Sequence, residues 1–280
     1  MKVIIHGGFI GESTLNPETK KAKQDSLVTI VTKAHEFLKT HTAVETVVYT
    51  VSLLEDDELF NAGLGSQIQR DGKVRLSASL MDGQSQKFSG VINLEDVQHP
   101  IQVADLLTQQ NDRVLSGEGA LNFARANGFE YFNPITKQRQ FEYQEKLNQE
   151  DRKGTVGCVA LDASGNIAAA TSTGGKGFEI PCRVSDSATV AGNFANEYAG
   201  ISCTGVGEDI VNGALAAKIV TRVTDGFTLK AACDKSFNEL KSFDGFAGVI
   251  GIASTGEIYH CDSHPTMVWA SFDTTVQVFN

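Results

Sequence analysis

A Gly-Thr pair in the second half of the chain could supply a hydrolytic nucleophile. Thr155 follows Gly154 and opens the apolar run from Val156 to Leu161. A threonine hydroxyl is a weak nucleophile at neutral pH and needs an adjacent base. If the backbone were cut before Thr155, its own α-amine, with an unperturbed pKa of about 7.7–8.0, would be that base. By itself the pair is more typical of an ordinary strand start, because threonine favours strands.

Two later segments carry hydroxyl groups that could complete such a site. Thr173 ends an apolar run that follows the turn at 162–166, so a hairpin would bring it beside Thr155. Thr204 and Gly205 together offer a hydroxyl and a backbone N–H. Such a pair of donors can form an oxyanion hole, which stabilises the negative charge of a tetrahedral intermediate.

An arginine and an aspartate three residues apart could bind the charged ends of an amino acid. Arg183 would hold the α-carboxylate through a bidentate pair, and Asp186 would hold the α-ammonium. Taken alone, the two residues are more typical of a surface ion pair.

The elements that must position these groups can be predicted from hydrophobic periodicity and turn residues. Helix patterns alternate with short apolar runs on both sides of a polar segment, 130–153, which we interpret as a linker. A capping box at Thr42 and Glu45 opens the second helix. Two packed sheets covered by helices, an α/β fold in one domain of residues 1–280, would account for the order. Helices are predicted at 17–41, from 42 to about 54, 100–110, 117–127, 207–223 and 228–241. Strands are predicted at 2–6 (stopped by Gly7-Gly8), in a meander over 66–93, and at 155–161, 167–171, 188–193, 199–204, 246–253, 257–262 and 266–271.

Several motifs occur in an order and spacing that closely resemble one family. They are GTVG at 154–157, AAATSTGG at 168–175, RVSD at 183–186 and SCTGVGE at 202–208, with IHGG, LLEDDELFNAGLG, MDG and GEGA in the first half. The sequence resembles the plant-type L-asparaginases and isoaspartyl aminopeptidases, which are N-terminal nucleophile hydrolases. The resemblance spans nearly the whole chain and implies a four-layer αββα sandwich. It also implies self-cleavage into 1–154 and 155–280, hydrolysis of β-aspartyl amides such as asparagine or isoaspartyl dipeptides, and a homodimer of cleaved pairs.

The same resemblance assigns roles to individual residues. It makes Thr155 the nucleophile released by cleavage after Gly154, Thr173 its support, and Thr204 and Gly205 the oxyanion donors. It makes Arg183 and Asp186 the substrate clamp, helped by the Gly207 carbonyl, and Asn61 an asparagine that orders water near the oxyanion. It implies a structural sodium ion, and no cofactor for the chemistry. The ion would be bound by the carbonyls of Leu54, Glu55, Asp57, Phe60, Ala62 and Leu64.

A few positions depart from the family pattern without removing a catalytic group. Cys182 and Ser185 stand where glycine is usual, and Val206 replaces a small polar residue or histidine. Ser77 stands in place of an aspartate, and the run 176–179 replaces a Met-x-x-Lys sequence. Extra bulk beside Arg183 would be expected to narrow the site.

Composition restricts the partners that we expect. A net charge of −10 disfavours nucleic acid and anionic membranes, which select basic surfaces. The five cysteines form no C-x-x-C pair, and the opening apolar run is too short for a signal peptide. We therefore expect a cytoplasmic protein with reduced thiols that acts on a small molecule.

Two alternatives remain open at the level of sequence. One is a related amidase on the same fold, such as an aspartylglucosaminidase-like enzyme or a threonine endopeptidase. The other is a catalytically silent member of the family that is kept as a binding or structural protein.

Overall fold

The computed structural model describes residues 1–10, 16–145, 154–264 and 266–280, in which helices and strands alternate. The helices are α1 (Pro17–Leu38), α2 (Ala43–Glu55), α3 (Pro100–Leu107), α4 (Gly117–Ala126), α5 (Lys137–Gln144), α6 (Gly207–Gly213), α7 (Leu215–Thr224) and α8 (Leu229–Leu240), with short 3-10 helices at Asp186–Ala188 and Lys241–Phe243. The strands are β1 (Lys2–Phe9), β2 (Leu76–Asp82), β3 (Lys87–Leu94), β4 (Val114–Ser116), β5 (Val156–Leu161), β6 (Ile167–Thr173), β7 (Asn193–Ala195), β8 (Ala199–Gly205), β9 (Ala247–Ala253), β10 (Ile258–Asp262), β11 (Met267–Phe272) and β12 (Val276–Val278).

Within these residues the strands form two sheets, which confirms the predicted α/β class. The larger sheet has eight strands in the order β12-β11-β1-β5-β6-β2-β3-β4, and the smaller has four in the order β10-β9-β8-β7. The pairs are antiparallel except β3 with β4. The order places β5 and β6, which flank the candidate nucleophile, at the centre of the larger sheet.

Three apolar clusters lie on the faces of the two sheets. Alternate residues of a strand point to opposite faces, so β5 contributes Cys158 and Ala160 to one cluster and Val159 and Leu161 to another. The first cluster packs against α1 to α4, and the second contains residues of both sheets, including Ile250. The third lies between the smaller sheet and α6 to α8. Burial on both faces explains why these strands are nearly continuous apolar runs.

Local sequence signals explain the first two helices well. Asn16 caps α1 and Pro17 follows it at the first helical position. The predicted capping box of α2 is confirmed, since the Thr42 side chain accepts from the Glu45 N–H and the Glu45 side chain accepts from the Thr42 N–H. No helix in the described part of the chain is long and apolar enough to cross a membrane.

The interpretation of 130–153 as a structureless linker is wrong in its first part. Helix α5 lies within it and is capped by Thr136. It docks through polar and aromatic contacts: Arg139 Nε donates to the Gly65 carbonyl at 2.6 Å, and Tyr143 stacks on Phe178. Contacts of this kind produce no periodic pattern of apolar residues, so the helix was not predicted from the sequence. The last part of the predicted linker, 146–153, lies outside the described residues.

Two predicted strands are also wrong. Residues 66–75 are a loop that is buried except around its turn, where Arg70, Asp71 and Lys73 are exposed. The loop is held where Phe178 N donates to the Ile68 carbonyl at 3.0 Å and Arg70 N to the Glu179 carbonyl at 3.3 Å. The strand predicted at 188–193 overlaps β7 only at Asn193. Its N-terminal part instead presents the carbonyls of Val190 and Ala191 to the first turn of α7.

Two predicted boundaries change for local reasons. The helix predicted at 207–223 is divided into α6 and α7 at Ala214, whose φ is 47°. The first N–H groups of α7 donate to the loop at 190–191 and do not continue the ladder of α6. Strand β1 runs through Gly7-Gly8 to Phe9, because a bulge between His6 and Phe9 absorbs the glycines.

Replacing Gly200 should test how closely the two sheets approach. A Cβ on Gly200 of β8 would lie 2.7 Å from Ile167 Cγ2 and 2.9 Å from Val159 Cγ1, both in the larger sheet. We expect Gly200→Ala to destabilise by roughly 1–3 kcal/mol through overpacking. At roughly 2–4 °C per kcal/mol, its thermal unfolding midpoint should fall by several degrees.

The matched control is Gly119→Ala, on the exposed side of α4, where a Cβ would meet nothing within 4 Å. It should leave the midpoint unchanged or raise it, because alanine is the better helix former. Equal midpoints for the two variants would contradict the close sheet packing.

Candidate active site

The β5–β6 hairpin places two threonine hydroxyls side by side. Val156 pairs with Ser172, so the next position along each strand sets Thr155 beside Thr173. The Thr155 hydroxyl donates to Thr173 Oγ1 at 3.3 Å, and both side chains are buried. The sequence-based expectation that the hairpin brings these residues together is therefore correct.

The carbonyl that precedes Thr155 is held by two donors. Asn61 Nδ2 donates to the Gly154 carbonyl at 2.8 Å, and Thr173 Oγ1 donates to it at 3.2 Å. Asn61 is itself fixed, because its Oδ1 accepts from Gln67 N at 2.9 Å and its Nδ2 also contacts the Gly175 carbonyl. The arrangement polarises the carbonyl of the peptide bond that joins Gly154 to Thr155.

His6 anchors Thr155 from the opposite side of β5. Its Nδ1 lies 2.9 Å from the Thr155 carbonyl and its Nε2 2.9 Å from Ser202 Oγ. A carbonyl can only accept, so Nδ1 carries the hydrogen and Nε2 accepts from Ser202. Burial lowers the pKa of His6 to about 3, while its bond to the Thr155 carbonyl opposes the shift. The ring is therefore neutral at physiological pH and serves as a hydrogen-bonding link between Thr155 and Ser202.

A glycine in the GTVG motif makes the His6 contact possible. A Cβ on Gly157 would lie 2.0 Å from Ser202 Oγ and 2.4 Å from His6 Nε2. Real Cβ atoms do not approach other atoms so closely, so any larger residue would separate His6 from Ser202. Gly157 is thus required by the link between the two sheets.

Thr204 lies on the face of β8 that looks toward the larger sheet. Ser202 Oγ contacts Thr171 Oγ1 of β6 at 2.6 Å, and side chains two residues apart share a face of a strand. Thr204 therefore shares the face of Ser202, and Thr173 that of Thr171. Thr204 Oγ1 is buried and has no hydrogen-bond partner among the described residues. A buried hydroxyl without a partner costs free energy, so it suits a position that a ligand or water completes.

The predicted clamp lies just beyond the end of β8. A Cβ on Gly207 would lie 2.6 Å from Arg183 Nη2 and 2.8 Å from Asp186 Oδ1. Only glycine lets the guanidinium and the carboxylate approach the same point. Gly207 follows Gly205 by two residues, which places the clamp next to the predicted oxyanion donors.

The two charges of the clamp have different surroundings. Asp186 is 3% exposed, and its Oδ2 has no hydrogen-bond partner in the described part of the chain. Burial raises the pKa of Asp186 to about 7, against the opposing effect of Arg183. Arg183 donates from Nε and Nη2 to Glu208, at 2.7 and 2.8 Å. Glu208 was not predicted as a site residue, although it ends the SCTGVGE motif and follows Gly207 directly.

The loop with the predicted sodium ligands begins at the end of α2 and curls back on itself. Leu64 N donates to the Glu55 carbonyl at 2.7 Å, and Phe60 N donates to the Asp57 carbonyl at 3.1 Å. A carbonyl has two lone pairs, so each of these oxygens can still bind a cation. Backbone carbonyls are hard oxygen ligands and fit a small hard cation.

The side chain of Glu55 ties this loop to the hairpin. Its Oε1 accepts from Ser172 Oγ at 2.6 Å and from Ile101 N at 3.2 Å. Ser172 precedes Thr173, whose hydroxyl contacts that of Thr155. Glu55 therefore connects the loop to the strand that supports the candidate nucleophile. Burial raises the pKa of Glu55 well above its usual range, and the hydrogen bonds from Ser172 and from Ile101 N oppose this shift.

The structure accounts for two departures from the family pattern. Cys182 has a φ of 67°, a left-handed backbone that explains why glycine is usual there, and its side chain is exposed. Ser185 has extended backbone angles and accepts from Ser187 N at 3.3 Å, so it caps the 3-10 helix. The bulk of Cys182, expected to narrow the site, therefore lies in solvent.

Comparisons with known proteins agree over nearly the full chain. A family model described as Asparaginase matches residues 1–278. The chain is 45% identical to the isoaspartyl peptidase/L-asparaginase of Synechocystis sp., an alignment that covers 96% of this chain and 87% of that protein. It is 35% identical to the isoaspartyl peptidase of Escherichia coli, covering 91% and 88%. It is 34% identical to the plant-type L-asparaginase of Pyrococcus horikoshii, covering 91% of each. Together with the arrangement of Thr155, Thr173 and the clamp, these matches show that the chain belongs to the asparaginase family.

Proposed function

We propose that this protein is a self-cleaving threonine hydrolase that acts on β-aspartyl amide bonds, with L-asparagine and isoaspartyl dipeptides as substrates. The observation that carries the proposal is the contact at 3.3 Å between the hydroxyls of Thr155 and Thr173, directly beside the doubly hydrogen-bonded Gly154 carbonyl. The names of the relatives, isoaspartyl peptidase and L-asparaginase, support the choice of substrate.

The first stage matures the chain. Thr155 Oγ1 attacks the Gly154 carbonyl carbon, while Asn61 Nδ2 and Thr173 Oγ1 stabilise the negative charge on its oxygen. The C–N bond breaks, the hydroxyl proton passes to the departing amine, and an ester joins Gly154 to Thr155. Water hydrolyses the ester, which leaves a carboxylate on Gly154 and a free α-amine on Thr155.

The second stage is catalysis by the new N-terminus. The α-amine of Thr155 accepts the hydroxyl proton as Oγ1 attacks the substrate's β-carbonyl carbon. Thr204 Oγ1, which has no partner in the described residues, and the Gly205 N–H stabilise the oxyanion. Ammonia or an amine leaves with the transferred proton, and water then hydrolyses the acyl ester to release aspartate.

The clamp selects substrates that carry an amino acid's two charges. Arg183 binds the α-carboxylate, while Asp186 and the Gly207 carbonyl bind the α-ammonium. The short distances of Arg183 and Asp186 from the Cβ position of Gly207 support this assignment, because a zwitterionic head group needs both charges close together. The orphaned Asp186 Oδ2 supplies an acceptor for the ammonium.

Several properties of the assembly belong to the same proposal. The packing of helices and two sheets supports a four-layer αββα sandwich, cleaved into 1–154 and 155–280 and assembled as a homodimer of cleaved pairs. All five cysteines are free, which suits a protein that acts in the reducing cytoplasm. The carbonyls of the loop from Leu54 to Leu64 hold a structural sodium ion.

Replacing the nucleophile should abolish both maturation and turnover. We expect Thr155→Ala to stay at full length, whereas the unaltered protein yields a fragment that begins at Thr155, as read by intact-mass analysis and N-terminal sequencing. Hydrolysis of asparagine should fall by at least ~10⁴-fold, the scale seen when a nucleophile is removed. Thr29→Ala, an exposed threonine of α1, is the matched control and should behave like the unaltered protein. Intact amidase activity in Thr155→Ala would refute the assignment.

Side-by-side assays should separate this activity from its rivals. We expect asparagine and β-aspartyl dipeptides to be hydrolysed faster than glycosylasparagine, and an unrelated peptide not at all. Preference for glycosylasparagine would favour the aspartylglucosaminidase alternative. Cleavage of ordinary peptide bonds would favour an endopeptidase, and no hydrolysis by cleaved protein would favour the silent binding protein.

Binding of the product L-aspartate should depend on the ionisation of Asp186. The pKa of this group is raised to about 7, so its carboxylate is present above that pH and lost below it. The inhibition constant of L-aspartate should therefore rise by about tenfold per unit below pH 7 and stay flat above it. Protonation of the Thr155 amine would attract the product's β-carboxylate and strengthen binding at low pH, so the sign of the change separates the two titrations. Asp186→Asn should bind weakly at every pH, and a flat profile for the unaltered protein would contradict the role of Asp186.

Removing sodium should destabilise the protein. We expect a lower thermal unfolding midpoint when sodium chloride is replaced by tetramethylammonium chloride at equal ionic strength, because that cation is too large for a ring of carbonyls. A ligand present at 100 times its dissociation constant stabilises by about 2.7 kcal/mol. Equal midpoints in the two salts would show that the loop holds no sodium.

A further inference from the structure

Glu208 binds the clamp arginine by one edge. Glu208 is the second residue of α6, and its two carboxylate oxygens accept from Nε and Nη2 of Arg183, at 2.7 and 2.8 Å. This bidentate pair is the strongest geometry available to a guanidinium and a carboxylate. It fixes the plane of the guanidinium as well as its position.

The pair leaves part of the guanidinium for a second carboxylate. A guanidinium has five N–H donors, and the edge formed by Nη1 and Nη2 is not the one that faces Glu208. Nη2 itself lies against Gly207, close to Asp186 Oδ1. The free edge can therefore receive an α-carboxylate whose neighbouring ammonium reaches Asp186.

Charges of alternating sign would run through this region when substrate is bound. Lys176 Nζ lies 3.6 Å from Glu208 Oε1, and Glu208 in turn binds Arg183. The substrate's carboxylate and ammonium would follow, and Asp186 would end the row. Every charge in this row would then lie next to charges of the opposite sign only. Binding of the zwitterion would add no net charge to the region.

Glu208 is also the better counter-ion for Arg183 in the absence of substrate. The Arg183 side chain is only 13% exposed, so its charge needs a partner. Asp186 is a weak partner because burial raises its pKa to about 7, whereas the hydrogen bond from Arg183 lowers the pKa of Glu208 to about 2. Glu208 thus stays ionised across the working pH range.

We propose that Glu208 is a positioning residue for substrate recognition, which holds Arg183 by its Nε–Nη2 edge so that the other edge meets the α-carboxylate of a β-aspartyl substrate. The inference rests on the proposed function, because it takes Arg183 as the α-carboxylate site. The opposite interpretation is that Glu208 occupies the place of the substrate's carboxylate and competes with it. The two interpretations predict changes in affinity of opposite sign.

The test measures L-aspartate binding to the mature protein by titration calorimetry, without turnover. With Glu208→Gln, we expect the dissociation constant to rise by about tenfold, because the charged half of a bidentate pair is lost. The KM for asparagine should rise in parallel while kcat changes by less than about twofold, since the groups at the reacting carbon are untouched. Tighter or unchanged binding of aspartate would overturn the proposal.

A second variant shows whether Glu208 acts through Arg183. In an Arg183→Ala background, Glu208→Gln should change kcat/KM by less than about twofold, because the partner it positions is gone. An equal loss in both backgrounds would overturn the proposal. The pH midpoint of aspartate binding should also move lower in Glu208→Gln, since the Glu208 charge helps to raise the pKa of Asp186. A merely structural defect would not move this midpoint.

Glu239→Gln is the matched control. Glu239 of α8 likewise accepts from an arginine and a lysine, Arg222 and Lys218, but both of these lie on α7. It should leave aspartate binding unchanged, and a loss equal to that of Glu208→Gln would overturn the specific role. Should Glu208→Gln fail to accumulate as cleaved protein, Glu208→Ala makes the same comparison.

The results also separate this inference from the proposed function. Protein that binds aspartate in a Glu208-dependent manner but hydrolyses no β-aspartyl amide would contradict the function alone. Protein that hydrolyses asparagine with a KM indifferent to Glu208 would contradict the inference alone. Protein that binds no aspartate would overturn the inference, because the clamp would then not be an amino-acid site.

Discussion

The antiparallel register of β5 between β1 and β6 is the constraint on which the site depends. On one side it pairs His6 with Gly157, and on the other Gly157 with Thr171. The first pairing lets His6 reach both the Thr155 carbonyl and Ser202. Continuing the second pairing by two residues toward the start of β5 places Thr155 beside Thr173. A shift of one residue would turn Thr173 toward Glu55 and the helices, because the side chains of a strand alternate between its faces. The buried apolar residues on both faces of β5 make such a shift costly.

A second constraint is that the paired threonines and the predicted oxyanion donors come from different sheets. Thr155 and Thr173 belong to the larger sheet, while Thr204 and Gly205 end β8 of the smaller one. The link between them is a chain of hydrogen bonds in which Thr171 donates to Ser202 and Ser202 donates to His6. Because His6 is neutral and its tautomer is fixed, the donors in this series of hydrogen bonds all point from Thr171 toward His6. It sets the separation of the two halves of the site without placing a charge between the sheets.

Much of the fold was predictable from sequence where one signal dominates. The capping box at Thr42 and the turn at 162–166 each determine local structure, so α2 and the β5–β6 hairpin were predicted. Helix α5 was not, because its docking uses the Arg139 guanidinium and the Tyr143 ring instead of an apolar stripe. The break at Ala214 depends on carbonyls at 190–191, which are distant in sequence. Local patterns cannot report such contacts.

The residues of the candidate site are likewise predicted from the sequence only in part. Residue types and the family resemblance predict roles for the threonines, Arg183 and Asp186, since each group has a recognisable chemistry. Glu208 was not predicted because a carboxylate is not expected to bind the substrate's carboxylate and has no assigned role at the reacting bond. Its role beside Arg183 can be inferred only when the structure shows which edge of the guanidinium it occupies.

The groups around Gly154 also bear on whether the protein is catalytic or silent. Asn61 and Thr173 both direct donors at a carbonyl inside the chain, an arrangement that promotes attack on that peptide bond and that a protein which only binds a ligand would not need. The geometry around Gly154 therefore supports the proposed self-cleavage independently of the residues that would recognise a substrate.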